Sequence, residues 1–217
     1  FDLYQAENGN YRFLGIMAPS QGEGKSYVES RVRLGAGMKD IMLDFPLFAK
    51  IGAVSVALRE GSELDFGSTY RNQTPIVFYG SSIVHGVGAG RPGVNYPAII
   101  ARRFDSDFIN LGFAGAAKAE PAIMDYIAGL DMSVFVYDYD HNAPDAEYLQ
   151  KTHYEGYQRF RAAQPETPVI MASKVDYHSD AQTNEKRRRI IMDSYKRGLK
   201  AGDRHLYFVD GATIYPS

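Results

Sequence analysis

No cysteine occurs anywhere in the 217 residues, so the chain has neither a disulfide framework nor a thiolate metal site, a condition compatible with any compartment. Excess charge of either sign is missing too: 24 Lys and Arg stand against 26 Asp and Glu, a formal net charge of −2. No global field then favours nucleic acid or an anionic membrane surface, and neither is expected as a partner. Nothing approaches the roughly eighteen apolar residues of a membrane span, and the opening FDLYQAENGN does not read as a signal peptide. What the chain does have is apolar residues in quantity, 45%, enough for the core of one large domain or two small ones. It starts at Phe1 without an initiator Met and stops at TIYPS just after an apolar run, which predicts a segment of a longer parent.

Residues 1–72 show short β-rich runs, YRFLGIM, SYVESRVRL, IMLDFPL and AVSVALRE, parted by the turn-like ENGN, PSQGEGK and REGSE. Several alternate apolar and polar residues, the pattern of a half-buried antiparallel sheet from a β-sandwich or jelly roll. With room for only about five strands, the piece reads as a partial sandwich. From Pro75 the pattern changes to short apolar runs alternating with helix-like stretches: PIVFYG, DFINLG, MSVFVYDYD, PVIMAS and HLYFVDG are separated by longer amphipathic segments. That alternation predicts an α/β domain over 73–217, a parallel sheet of five strands covered on both faces. The polar stretch GSTYRNQT, Gly67 to Thr74, reads as the linker.

In an open parallel sheet the ligand crevice lies beyond the carboxyl ends of the strands, where strand order reverses. The loops after the first three strands are GSSIVHG (80–86), GFAGAAK (112–118) and DHNAP (140–144), and each carries a small or amide-bearing residue: Ser82, Gly115 and Asn142. Acyl transfer needs a nucleophile beside donors for an oxyanion, and backbone N–H groups near glycine plus a side-chain amide supply them. Each residue alone has a plainer reading as a helix cap, a turn glycine or a loop signal. Their occurrence after three successive strands is what points to a site.

These loops resemble the first three sequence blocks of the SGNH/GDSL ester hydrolases, and the resemblance implies a flavodoxin-like three-layer fold. G-S-S-I at 80–83 is similar to the G-D-S-[ILV] block, which implies Ser82 as nucleophile. N-L-G-F-A-G at 110–115 resembles the second block, whose last glycine gives its N–H to the oxyanion, implying Gly115. D-H-N-A stands where the third block is G-x-N-D, implying Asn142 as a side-chain donor, with the Ser82 N–H completing the oxyanion hole. The opening FDLY also resembles the G-x-D-L-Y signature of a β-domain that precedes SGNH domains in one bacterial branch.

Ser81 and Ala143 depart from the family, which usually has Asp at both positions. The D-x-x-H block that supplies the acid and general base is not found after HLYFVDG, so the resemblance places the catalytic Asp and His beyond Ser217. It implies a serine esterase acting on small acyl esters, such as acetyl groups on carbohydrates, with no cofactor or metal, in a secreted or periplasmic bacterial setting. Rival readings on the same fold are a non-catalytic carbohydrate-binding protein and an acyltransferase.

Other signals carry plainer expectations. Of the five histidines, His153 falls mid-helix and His205 opens the last strand, whereas His85 and His141 lie in crevice loops and His178 in DYHSD. None of them reads as the general base. GAGRPG (88–93) fits G-x-G-x-x-G, but it lies too far from its strand and Pro92 spoils the turn, so it reads as a pocket-rim loop with Arg91 facing substrate. Lys186, Arg187, Arg188 and Arg189 read as the solvated face of an amphipathic helix. DYDHN and DYHSD lack a repeated metal-ligand spacing.

Overall fold

A computed structural model describes residues 1–18, 27 and 29–214. Asp2–Glu7 (β1), Asn10–Ile16 (β2) and Asp40–Asp44 (β3) form a small antiparallel sheet in the order β2-β1-β3. Asn8 and Gly9 both take positive φ, the two-residue turn that lets strands of natural twist fold back on each other, as ENGN predicts. AVSVALRE forms no strand, and Val54, Val56 and Leu58 stand exposed together with Leu64 and Phe66. Alternation makes a strand only where a neighbouring edge completes its backbone hydrogen bonds, and among the described residues none pairs with this run. Within SYVESRVRL, residues 29–34 form no strand and Ser26 and Val28 lie outside the described residues, as does the whole of PSQGEGK.

The small sheet is fastened to the rest by charge. Asp2, fully buried, accepts from Arg91 Nη1 at 2.6 Å and from the Gly93 N–H at 2.8 Å. Arg91 also donates to the Tyr4 hydroxyl at 2.7 Å and lies 3.9 Å over the Phe13 ring, while Arg102 bonds Asp44 at 3.2 Å, reaches the Gly93 carbonyl and covers the Tyr4 ring. Arg91 therefore does not face a substrate. The Asp and Tyr of FDLY take up its guanidinium, because the 91–94 turn sits against β1.

The second sheet is parallel, built from Asn72–Gly80 (β4), Ser106–Gly112 (β5), Val134–Asp138 (β6), Val169–Ala172 (β7) and Leu206–Val209 (β8) in the order β5-β4-β6-β7-β8. The polar stretch GSTYRNQT runs directly into β4, which begins at Asn72. Ser82–His85 (α1) and Tyr96–Phe104 (α2) lie on one face; Pro121–Ala128 (α3), Ala146–Ala163 (α4) and Ala181–Lys200 (α5) lie on the other. This is the flavodoxin-like α/β architecture expected.

Val77, Phe78 and Tyr79 of β4 are wholly buried, Val77 and Tyr79 towards α3–α5 and Phe78 towards α2, as a central strand covered on both faces requires. Coverage is uneven at the far edge. Leu206 and Phe208 of β8 pack into the large core, whereas Tyr207 and Val209 project exposed from the opposite face.

Candidate active site

Strand order reverses at β4, flanked by β5 and β6, so the crevice opens over its carboxyl end. There the chain passes from Gly80 into α1 within one residue. Ser81, fully buried, is the helix cap, its Oγ accepting from the Ile83 N–H at 3.2 Å. The plain reading of a serine after a strand thus belongs to Ser81. Ser82 is the first helical residue, partly exposed, and its hydroxyl makes no hydrogen bond to any described residue. Its N–H, at the first helical position, has no intrahelical partner.

The three predicted loops are bonded to one another. The Phe113 N–H donates to the Gly80 carbonyl at 2.9 Å, and Asn142 Nδ2 donates to the Phe113 carbonyl at 2.8 Å. Asn110 locks the second loop to the nucleophile turn: its Nδ2 donates to the Val84 carbonyl and its Oδ1 accepts from the Gly112 N–H, both at 2.9 Å. A Cβ on Gly112 would fall 2.1 Å from the His85 nitrogen, so only glycine lets α1 approach β5 this closely. Gly115 sits at φ +75°, where other residues are strained, and its exposed N–H bonds no described residue. Asn142 spends one amide hydrogen on Phe113 and retains the other. Ser82, Gly115 and Asn142 therefore lie on loops that fix one another and keep donors in reserve.

Beneath Asn142 lies a buried ion pair that the sequence reading missed. Asp140 accepts from Arg187 Nε at 2.7 Å and from the Lys174 N–H at 3.1 Å, and Arg187 Nη2 reaches the carbonyls of Asp140 and Ala143, the latter at 2.9 Å. The basic run is thus not one solvated face. Arg187 lies one helical turn from Ile190 and Ile191, on the buried side of α5, while Arg188 forks onto Asp210 and Arg189 pairs with Glu185. Its signal in the sequence was this spacing from the two isoleucines.

Asp138, at the end of β6, is a second unforeseen group. Burial pushes its carboxyl up to about 7, against the pull of the Tyr96 hydroxyl donating at 2.9 Å. Its only sequence signal is an acid closing an apolar strand.

None of the histidines bonds Ser82. His85 Nε2 lies 2.5 Å from the Leu47 carbonyl with its ring on Phe48, and His141 Nε2 lies 2.9 Å from Asp176 Oδ1. Burial holds His141 below its ordinary value despite that carboxylate and takes His153, deep in α4, down to about 3. His178 and His205 are exposed. Among the described residues no group of three His, Cys, Asp or Glu is arranged to hold a metal ion, and no helix is long and apolar enough to cross a membrane.

Residues 73–216 match the GDSL-like lipase/acylhydrolase family, and the chain belongs to it. Among solved structures, a protein assigned as a GDSL-like lipase from Bacteroides ovatus ATCC 8483 matches with a TM-score of 0.78 at 25% identity, over 96% of this chain and 63% of that one. SsfX3, a salicylyl-acyltransferase from a tetracycline biosynthetic pathway, matches with a TM-score of 0.58 at 22% identity, over 70% of this chain and 46% of its own. A family two carbohydrate esterase from Clostridium thermocellum, solved with cellohexaose, gives 0.52 at 16%, over 68% and 56%. The chain spans less than two thirds of each of these three structures. No curated protein matches it.

Proposed function

We propose that the protein is a serine ester hydrolase that removes small acyl groups, with acetyl esters of carbohydrates as the substrate class, through an acyl-enzyme. The observation that carries this reading is the free Ser82 hydroxyl at the strand-order reversal, on a loop hydrogen-bonded in series to those bearing Gly115 and Asn142. Ser82 Oγ attacks the ester carbonyl and its proton passes to a base. The negative charge that forms on the carbonyl oxygen is met by the Ser82 N–H, the Gly115 N–H and Asn142 Nδ2. The intermediate collapses, the C–O bond to the alcohol breaks, and the alcohol leaves with the base's proton. Water then attacks the acyl-enzyme by the same route and frees the acid and Ser82.

The five histidines are engaged elsewhere or exposed, which supports a base supplied from outside residues 1–217, the role the family's D-x-x-H block fills. His141 has the strongest competing claim, because it pairs with Asp176 and adjoins Asn142. The carbohydrate substrate rests on the family and on the carbohydrate esterases that share the fold. Hydrolysis of p-nitrophenyl acetate by the full-length protein tests the reading, with Ser82→Ala and His141→Ala beside it. Loss with Ser82→Ala and retention with His141→Ala is the expected result; full activity of Ser82→Ala would sink the mechanism. Acyl transfer to an added sugar alcohol in place of release of free acid would mark a transferase on the same chemistry.

A further inference from the structure

We infer that Arg187 is a positioning residue for the oxyanion donor Asn142, an inference that rests on the function proposed above. Asn142 closes a single 3-10 turn, Asp140–Asn142, whose own hydrogen bonds are few: the Asn142 N–H reaches the Tyr139 carbonyl at 2.9 Å and the Ala143 N–H the Asp140 carbonyl at 3.2 Å. A turn this short does not hold an amide in place by itself.

The rest of the hold comes from α5. Arg187 grips the turn at both ends, with Nε on the Asp140 carboxylate and Nη2 on the carbonyls of Asp140 and Ala143, which bracket His141 and Asn142 in sequence. Asp140 in turn ties the turn to the chain after β7 through the Lys174 N–H. The guanidinium is buried, with its planar fork locked by three acceptors, so it cannot shift without breaking the set. From below, then, the turn is fixed by Arg187; from above, Asn142 Nδ2 is anchored to the Phe113 carbonyl of the Gly115 loop. The amide hydrogen left over has one direction open to it. A donor aimed in advance is what lowers the barrier, because it needs no reorganisation as charge develops.

This assigns work to a part of the sequence where the family pattern is broken. The residue after Asn142 is Ala143, with no side chain to hold the loop, and the carboxylate in the turn is instead Asp140, which Arg187 neutralises. Arg187 touches no reacting atom. Its contribution appears in turnover through Asn142 alone.

The test is a double-mutant cycle between Arg187→Lys and Asn142→Ala in the full-length protein, read as kcat and KM on p-nitrophenyl acetate, with thermal melts to confirm folding. Lysine keeps a charge for Asp140 but cannot span the carboxylate and both carbonyls. Arg187→Lys is expected to lower kcat by about 10–100-fold with KM within about twofold, and by less than about threefold once Asn142 is already Ala. If the two losses multiply in full, or Arg187→Lys turns over like the parent, Arg187 does not act through Asn142. Should Arg187→Lys fail to fold, Asp140→Asn, which keeps the Lys174 and carbonyl contacts, takes its place in the cycle under the same criteria. Full activity of Asn142→Ala would overturn the oxyanion assignment itself, and the positioning role with it.

Discussion

Two polar assemblies in the molecule differ in how much of their hydrogen-bonding capacity is used. In the latch between the small sheet and the α/β unit, Asp2, Arg91, Arg102, Tyr4 and Gly93 bond chiefly one another, leaving Asp2 Oδ1 as the buried atom without a partner. In the crevice the Ser82 hydroxyl, the Gly115 N–H and one Asn142 hydrogen bond no described residue, although the loops bearing them are firmly bonded together. Saturated polar groups fix a structure, because leaving them unpaired in a buried place would cost more than they return. Donors held rigidly but left free are ready for a partner that arrives later. The contrast separates an internal interface from a candidate site.

The largest expected effect breaks the crevice side of the comparison. Ser82→Ala should reduce kcat of the full-length protein by more than about 10⁴-fold while leaving its melting temperature within a degree or so, because the hydroxyl supports no other group. A melt shifted by many degrees would show that Ser82 belongs to the saturated class. Asn142→Ala comes next: about 10²–10³-fold in kcat with KM nearly unchanged, measured by steady-state kinetics, as expected of a donor engaged chiefly in the transition state.

The latch gives the reverse signature. Asp2→Ala strands Arg91 and the buried Gly93 N–H together and should cost about 3 kcal/mol in urea unfolding, the low end for a broken buried pair because Arg91 keeps some access to water. Its effect on kcat should stay within about threefold. A hundredfold loss of kcat in a still-folded Asp2→Ala protein would mean that the latch shapes the crevice, and the division drawn above would fail.

How much of this was legible in the sequence follows the same line. The five parallel strands could be read because each carries its own apolar run, and the loops bearing Ser82, Gly115 and Asn142 because they follow three successive strands. The latch could not: Arg91 looks like a rim residue until β1 is laid against the 91–94 turn, a contact across nearly ninety positions of sequence. Arg187 was hidden inside a run of four basic residues that only a helical projection separates. Ala53–Leu58 failed in the opposite sense. It has the alternation of a strand, but a strand also needs an edge to join, and local sequence does not record whether one is there.

Asp138, whose backbone lies against Gly80 and whose carboxylate is bonded to Tyr96 of α2, gives a pH-dependent test. Its folded pKa of about 7 lies above the unfolded value near 3.8, so the folded state holds a proton that the unfolded state has lost. The stability it confers is therefore complete below about pH 4 and lost as pH rises through 7. Asp138→Asn should remove that loss, so that variant minus parent grows across this window to about 4 kcal/mol at pH 8, measured by urea unfolding. His153 works in the opposite direction, losing stability as pH falls from 6.5 towards 3, which is why the difference between the proteins carries the test. A flat difference from pH 4 to 8 would show that Asp138 is ionised throughout.

The smallest effect is expected where the chain is apolar yet unpaired. If the small sheet is held by its charged latch, the exposed run Ala53–Leu58 contributes nothing to holding it, however strand-like it reads. Val56→Asp in the 217-residue chain should then change unfolding free energy by no more than about 0.5 kcal/mol, the scale of a surface substitution, against the several-fold larger loss from Asp2→Ala. The two residues make an informative pair because their chemistry runs against their usual roles: here the acid is buried and the valine faces water. An equal loss from both would mean that the valine is packed in solution, and the small sheet's cohesion would have to be assigned to apolar contact as well as to charge.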